Sequence, residues 1–129
     1  MIRYLLDTHA LIWWWLADTR LSSRARSLMG ARENSIWVPS VCALEIANKV
    51  RIGKLPEMTP FVASYGESVA AEAFCHLNLT YEHALGAGTL SGAHGDPFDR
   101  LIAASALIED MTVITRDPEI AAFGCKVLW

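Results

Sequence analysis

No apolar run in this chain of 129 residues approaches the roughly twenty residues that a membrane-crossing helix needs. The richest, Leu11 to Leu16, ends at Ala17, Asp18 and Arg20. The opening Met1-Ile2-Arg3-Tyr4 leads straight into a strand-like run and lacks the basic-then-apolar layout of a signal peptide, so a cytoplasmic protein is the simplest expectation. Cysteine is scarce. Cys42, Cys75 and Cys125 are odd in number, far apart and set in apolar stretches, which predicts small buried residues rather than disulfides or zinc ligands. Charge is scarce too: 19% of residues are charged against 53% hydrophobic, which excludes disorder and predicts a large core, an apolar partner surface, or both. A positive excess is missing, and the net charge of −3 argues against a generic nucleic-acid coat. There is no linker, repeat or low-complexity segment, so residues 1–129 read as one domain.

What is present is an alternation of short strands and helices. Arg3–Leu6, Ser35–Val38, Phe74–Leu79, Thr112–Thr115 and Lys126–Leu128 are β-branched or apolar runs of strand length. Helices fill the intervals, with starts at Ser40, Thr59-Pro60, Thr80, Asp96-Pro97 and Asp117-Pro118. The stretch from Gly53 to Thr59 reads as a helix stop and turn. Such an alternation predicts an α/β fold with a parallel sheet covered on both faces.

Ligands of such sheets sit at the carboxyl ends of the strands. Asp7 closes the first strand, Asp117 follows the fourth, and Asp99 lies in the first turn of the helix opened by Asp96-Pro97. Glu45 is the only charged residue between Glu33 and Lys49, in an apolar helix where a carboxylate needs a partner. Carboxylates converging on one pocket suit Mg²⁺, which takes hard oxygen ligands and assists phosphodiester cleavage. If a cation neutralises these four, the remaining charge is slightly positive, so a nucleic-acid substrate stays open. Each aspartate also has a plain reading: Asp7, Asp96 and Asp117 as helix caps, Asp99 as a first-turn acid. The tightest apolar stripe of its helix points away from Glu45.

Taken together, Leu5-Leu6-Asp7-Thr8-His9-Ala10-Leu11, Leu44-Glu45-Ile46, His94-Gly95-Asp96-Pro97-Phe98-Asp99-Arg100-Leu101-Ile102-Ala103-Ala104 and Thr115-Arg116-Asp117 resemble the PIN-domain family. The resemblance runs the whole length and is similar to the toxin component of VapBC-type toxin–antitoxin pairs. It implies a three-layer α/β/α sandwich with a five-stranded parallel sheet. It also implies a Mg²⁺ or Mn²⁺ site that hydrolyses RNA through water activated on the metal, a homodimer and a cognate antitoxin. By position Asp7, Glu45, Asp99 and Asp117 match the family's acidic quartet, Asp7 and Asp99 as the more direct ligands, Glu45 and Asp117 directly or through water. Asp96 is then a cap or outer group, and Thr8 and Thr115 are hydroxyls behind the ligands. Ser105 and the glycine-rich Gly86 to Gly95 segment depart from the family pattern.

Around the acids, Arg100 and Arg116 are candidates for RNA phosphate contact or for pairing with a neighbouring carboxylate. Lys49, Arg51 and Lys54 complement a helix end or touch RNA backbone. His9 and His94 are expected to cap or face solvent, with a general-base role the lesser alternative. Trp13-Trp14-Trp15 spans about 200° of a helix and cannot all face one core, so either some of the rings meet a partner or they cover the sheet with one merely exposed. Two other functions compete: a non-catalytic PIN-like module that binds protein or RNA, and a phosphoaspartate domain. The latter needs a lysine near the phosphate, and Lys126 lies at the wrong end of its strand.

Overall fold

The computed structural model describes residues 2–129. Strand β1 (Arg3–Leu6) leads to helix α1 (Thr8–Trp15), followed by α2 (Ser23–Gly30), β2 (Ser35–Pro39) and α3 (Val41–Arg51). A single turn of 3-10 helix at Pro56–Met58 joins α4 (Thr59–Ala63) and α5 (Tyr65–Ala71) to β3 (Cys75–Leu77). Then come α6 (Tyr81–Thr89), α7 (Pro97–Glu109), β4 (Thr112–Ile114), α8 (Pro118–Ala121) and β5 (Val127–Leu128).

The strands form one five-stranded sheet in the order β3-β2-β1-β4-β5, every pair parallel. Along β1 successive side chains go to opposite faces. Tyr4 and Leu6 join a core with α1, α2, α3 and α5, whereas Leu5 joins a second core with Ile102, Val113 and Ile120. Leu5 and Leu6 are fully buried, and burial of such side chains contributes about 1.5–3 kcal/mol each. The expected three-layer α/β/α sandwich is therefore formed.

Boundaries moved by one or two residues, most at the third strand, which is Cys75–Leu77 rather than Phe74–Leu79. Gly53 ends α3 at φ +78°, as the expected helix stop requires. One correction concerns burial. Cys42 and Cys125 are buried, but Cys75 is exposed, because the strand carrying it is the sheet's edge. The three tryptophans are all used within the chain: Trp13 is buried, Trp14 packs on Phe74 at 5.8 Å, and Trp15 stacks on Phe61 at 4.8 Å. Phe61 of α4 and Tyr65 of α5 both pack on Trp15, while Trp14 and Trp15 stay half-buried.

Candidate metal centre

Topology gathers the acids. Strand β1 lies between β2 and β4, so Asp7 at its carboxyl end is flanked by the segments that follow those two strands. Helix α3 follows β2 and carries Glu45; Asp117 follows β4 by three residues. Helix α7 returns to the start of β4, which sets its first turn, with Asp99, at the same edge.

Asp7 occupies the N-cap position of α1 yet makes no capping bond. It is 5% exposed, and among the described residues only the Thr115 hydroxyl donates to it, at 2.8 Å to Oδ2. The Thr115 oxygen in turn accepts from the Asp117 amide at 3.0 Å, tying the two acidic segments together. Burial pushes the Asp7 carboxyl above its ordinary pKa, opposed by the Thr115 bond and by His9, and reinforced by the charges of Glu45 and Asp117. Asp99 is pushed up to about 6, chiefly by burial; its hydrogen bond with His94 opposes this, and the charges of Asp96, Asp7 and Asp117 add to it. A carboxylate so placed is costly to ionise without a cation, and hard oxygen donors are what Mg²⁺ and Mn²⁺ bind. The donor set therefore fits such an ion.

The other two acids are tied more loosely. Glu45 pairs with Lys49 one turn on, at 3.1 Å, which supplies the partner its apolar helix demanded. Asp117 does cap α8, through Oδ1 to the Glu119 amide at 2.9 Å. Asp96 caps α7 by accepting from Phe98 N at 2.8 Å and Asp99 N at 3.3 Å, the cap role foreseen for it. Possible ligand atoms of His94, Asp96 and Asp99 lie within 4.8 Å of one another.

Several residues behave otherwise than the sequence suggested. The Thr8 hydroxyl donates to Cys42 Sγ at 3.3 Å in the core, so Thr8 is not behind a ligand. Arg100 is no free phosphate contact: it donates to the carbonyls of Ala87 (2.8 Å), Leu90, Gly92 (3.3 Å) and His94 (2.8 Å), clamping the glycine-rich segment. That segment delivers His94, whose Nε2 lies 2.9 Å from Asp99 Oδ2 and whose Nδ1 meets Glu119. Arg51 leans on Asn48 at 3.3 Å, while Lys54 is exposed. Lys126 sits 3.8 Å from Asp110, at the far edge of the sheet, so it does not serve the acids as the lysine of a phosphoaspartate site would.

A pocket of about 430 Å³ opens over Asp7 and Asp117, walled by His9, Trp13, Arg116 and Arg20. Arg20 was not among the expected residues. It follows α1 in the loop Ala17-Asp18-Thr19, where no periodicity marks it.

The PIN domain model matches residues 4–124. The chain belongs to the PIN domain family. Solved PIN structures of similar fold include VapBC2 from Rickettsia felis bound to a DNA fragment from their promoter, at TM-score 0.73 and 16% identity over 98% of each chain. FitAB bound to IR36 DNA matches at TM-score 0.68 and 20% identity, covering 97% of this PIN domain and 93% of that chain. VapBC-1 from nontypeable Haemophilus influenzae gives 0.67 and 17%, over 98% and 97%. No curated protein sequence matches significantly. Among the described residues, no helix is long and apolar enough to cross a membrane.

Proposed function

We propose that this PIN domain is a Mg²⁺- or Mn²⁺-dependent endoribonuclease, the toxin half of a VapBC-type pair held in check by a cognate antitoxin in the cytoplasm. The observation that carries the reading is Asp7: a carboxylate in an N-cap position that does not cap, nearly buried, its pKa raised chiefly by that burial and further by the charges of Glu45 and Asp117. Asp7 and Asp99 would hold the cation, with Glu45 and Asp117 beside them directly or through water. When bound, the cation supplies a water of lowered pKa and offsets charge building on the scissile phosphate. The protein's own part is positional. Thr115 fixes Asp7 and Asp117 relative to each other, His94 fixes Asp99, and the pocket mouth admits a phosphate flanked by Arg116.

Relatives in toxin–antitoxin complexes support the antitoxin partner, and a homodimer belongs to the same reading. Helices α6 and α7 expose Tyr81, Leu85, Leu107 and Ile108, apolar area that an isolated domain has little reason to present. The deciding experiment titrates Mn²⁺ into the parent and into Asp7→Asn and Asp99→Asn, reading free ion by electron paramagnetic resonance, and follows with RNA cleavage. Saturable binding lost in both variants, with cleavage lost alongside, is expected. Equal binding in all three, or none in the parent, would leave a non-catalytic PIN module.

A further inference from the structure

The pocket over the acids has a wall that the acids do not use. Trp13 is 6% exposed, and two guanidinium groups lie over its ring: Arg116 with Cζ 4.5 Å and Arg20 with Cζ 4.9 Å from the centroid. Both arginines line the pocket together with Asp7 and Asp117. Their anchoring differs. Arg20 is fixed by Asp18, through Nε at 3.1 Å and Nη2 at 2.7 Å, and that pairing pulls the Asp18 pKa down to about 2. Its Nη1 has no acceptor among the described residues. Arg116 has no ion pair or side-chain hydrogen bond among the described residues; only the indole face holds it. A neighbouring pocket of about 280 Å³ shares His9, Trp13 and Arg20 and is lined further by Lys49, the partner of Glu45, and by Lys54 and Glu57.

We propose that Trp13 is a platform that presents Arg20 and Arg116 as a clamp for a backbone phosphate of single-stranded RNA, next to the phosphate being cut. The inference rests on the ribonuclease reading and adds two residues to it, Trp13 and Arg20. An arginine stacked on an aromatic ring is already ordered and is weakly hydrated, so less freedom is lost when it meets a phosphate. Its planar fork suits two phosphate oxygens. A base stacking on the indole is the other use of such a wall, but the ring is nearly buried and already carries two guanidiniums. The clamp therefore contributes affinity and register without sequence preference.

The test measures binding of a fluorescein-labelled, mixed-sequence single-stranded RNA by anisotropy, with Mg²⁺ present and in an Asp99→Asn background that suppresses cleavage. Arg20→Ala and Arg116→Ala should each weaken binding about ten-fold, the size of a lost charge-assisted hydrogen bond. Each should also lower the slope of log affinity against log salt by about 0.7, one phosphate contact on a single strand. Arg20→Lys and Arg116→Lys should recover the slope but only part of the affinity. Lys126→Ala, at the far edge of the sheet, should change neither. Both arginines are exposed, so their loss leaves the fold intact; Arg20 is 58% so. RNA bound by the parent with unchanged affinity and slope in both alanine variants would overturn the clamp while leaving the ribonuclease reading standing. A parent that binds no RNA, or prefers polyglutamate to RNA, would overturn both.

Discussion

The Thr115 hydroxyl donates to one acid and accepts from the backbone of another, so a single side chain sets the spacing of Asp7 and Asp117. Replacing it by valine keeps the shape and removes both bonds, leaving a nearly buried carboxylate with no donor. The expected cost is about 1–3 kcal/mol of stability, together with a several-fold loss of Mn²⁺ affinity. Serine should restore the affinity. Chemical denaturation and Mn²⁺ titration of Thr115→Val and Thr115→Ser check this; valine binding Mn²⁺ as tightly as the parent would remove Thr115 from the site. At this scale the sequence was a partial guide. It named Asp7 and Asp99, but whether an aspartate ahead of a helix caps it depends on side-chain torsion, which no spacing rule reports. The same pattern gave no notice of Glu119, a first-turn acid of α8 that also meets His94.

Between β3 and β4 the unit of organisation is the segment gripped by Arg100. The arginine sits in the first turn of α7 and reaches back to carbonyls from Ala87 to His94, while its guanidinium lies 5.2 Å from the centre of the Phe123 ring. Removing it leaves those carbonyls without their donors and frees the approach of His94 to Asp99. Arg100→Ala should speed amide exchange through residues 90–95 at least ten-fold while α7 stays protected, and should weaken Mn²⁺ binding. Arg100→Lys should behave nearly as badly, since an ammonium cannot span several carbonyls. Unchanged exchange in both variants would mean the segment is held by other contacts. Because its neighbours are acids, the sequence offered Arg100 either a phosphate or a neighbouring carboxylate; the carbonyls it serves instead come from a segment without periodicity. The tryptophan run was legible only in part, for a related reason. Helical spacing gave the arc correctly, but that Phe74 would meet Trp14, and Phe61 and Tyr65 would meet Trp15, is a tertiary fact.

For the molecule as a whole, strand–helix alternation was enough to predict the parallel sheet, and its carboxyl edge followed from topology alone. The quartet's electrostatics did not follow, because they depend on burial. Their consequence is a stability that depends on pH and metal together. Asp99 is raised to about 6 from an ordinary 3.8, and Asp7 is raised as well, both chiefly by burial. A carboxyl with a higher pKa folded than unfolded binds its proton more tightly in the native state, so stability falls as pH rises from about 4 to about 6. His94, raised above 6.5 by its bond to Asp99, stabilises below that value and loses the contribution as pH climbs through its folded pKa. All three groups act in one direction. A divalent cation needs the deprotonated carboxylates, so its stabilisation grows over the same interval. The gain in Tm on adding Mn²⁺ to chelator-treated protein should therefore be small near pH 5 and large near pH 7.5, while the metal-free protein loses stability between them. Calorimetry at the two pH values, repeated with Asp99→Asn, measures both. An equal gain at the two pH values would mean that the cation binds away from Asp7 and Asp99. A gain that persists undiminished in Asp99→Asn would assign it to other ligands.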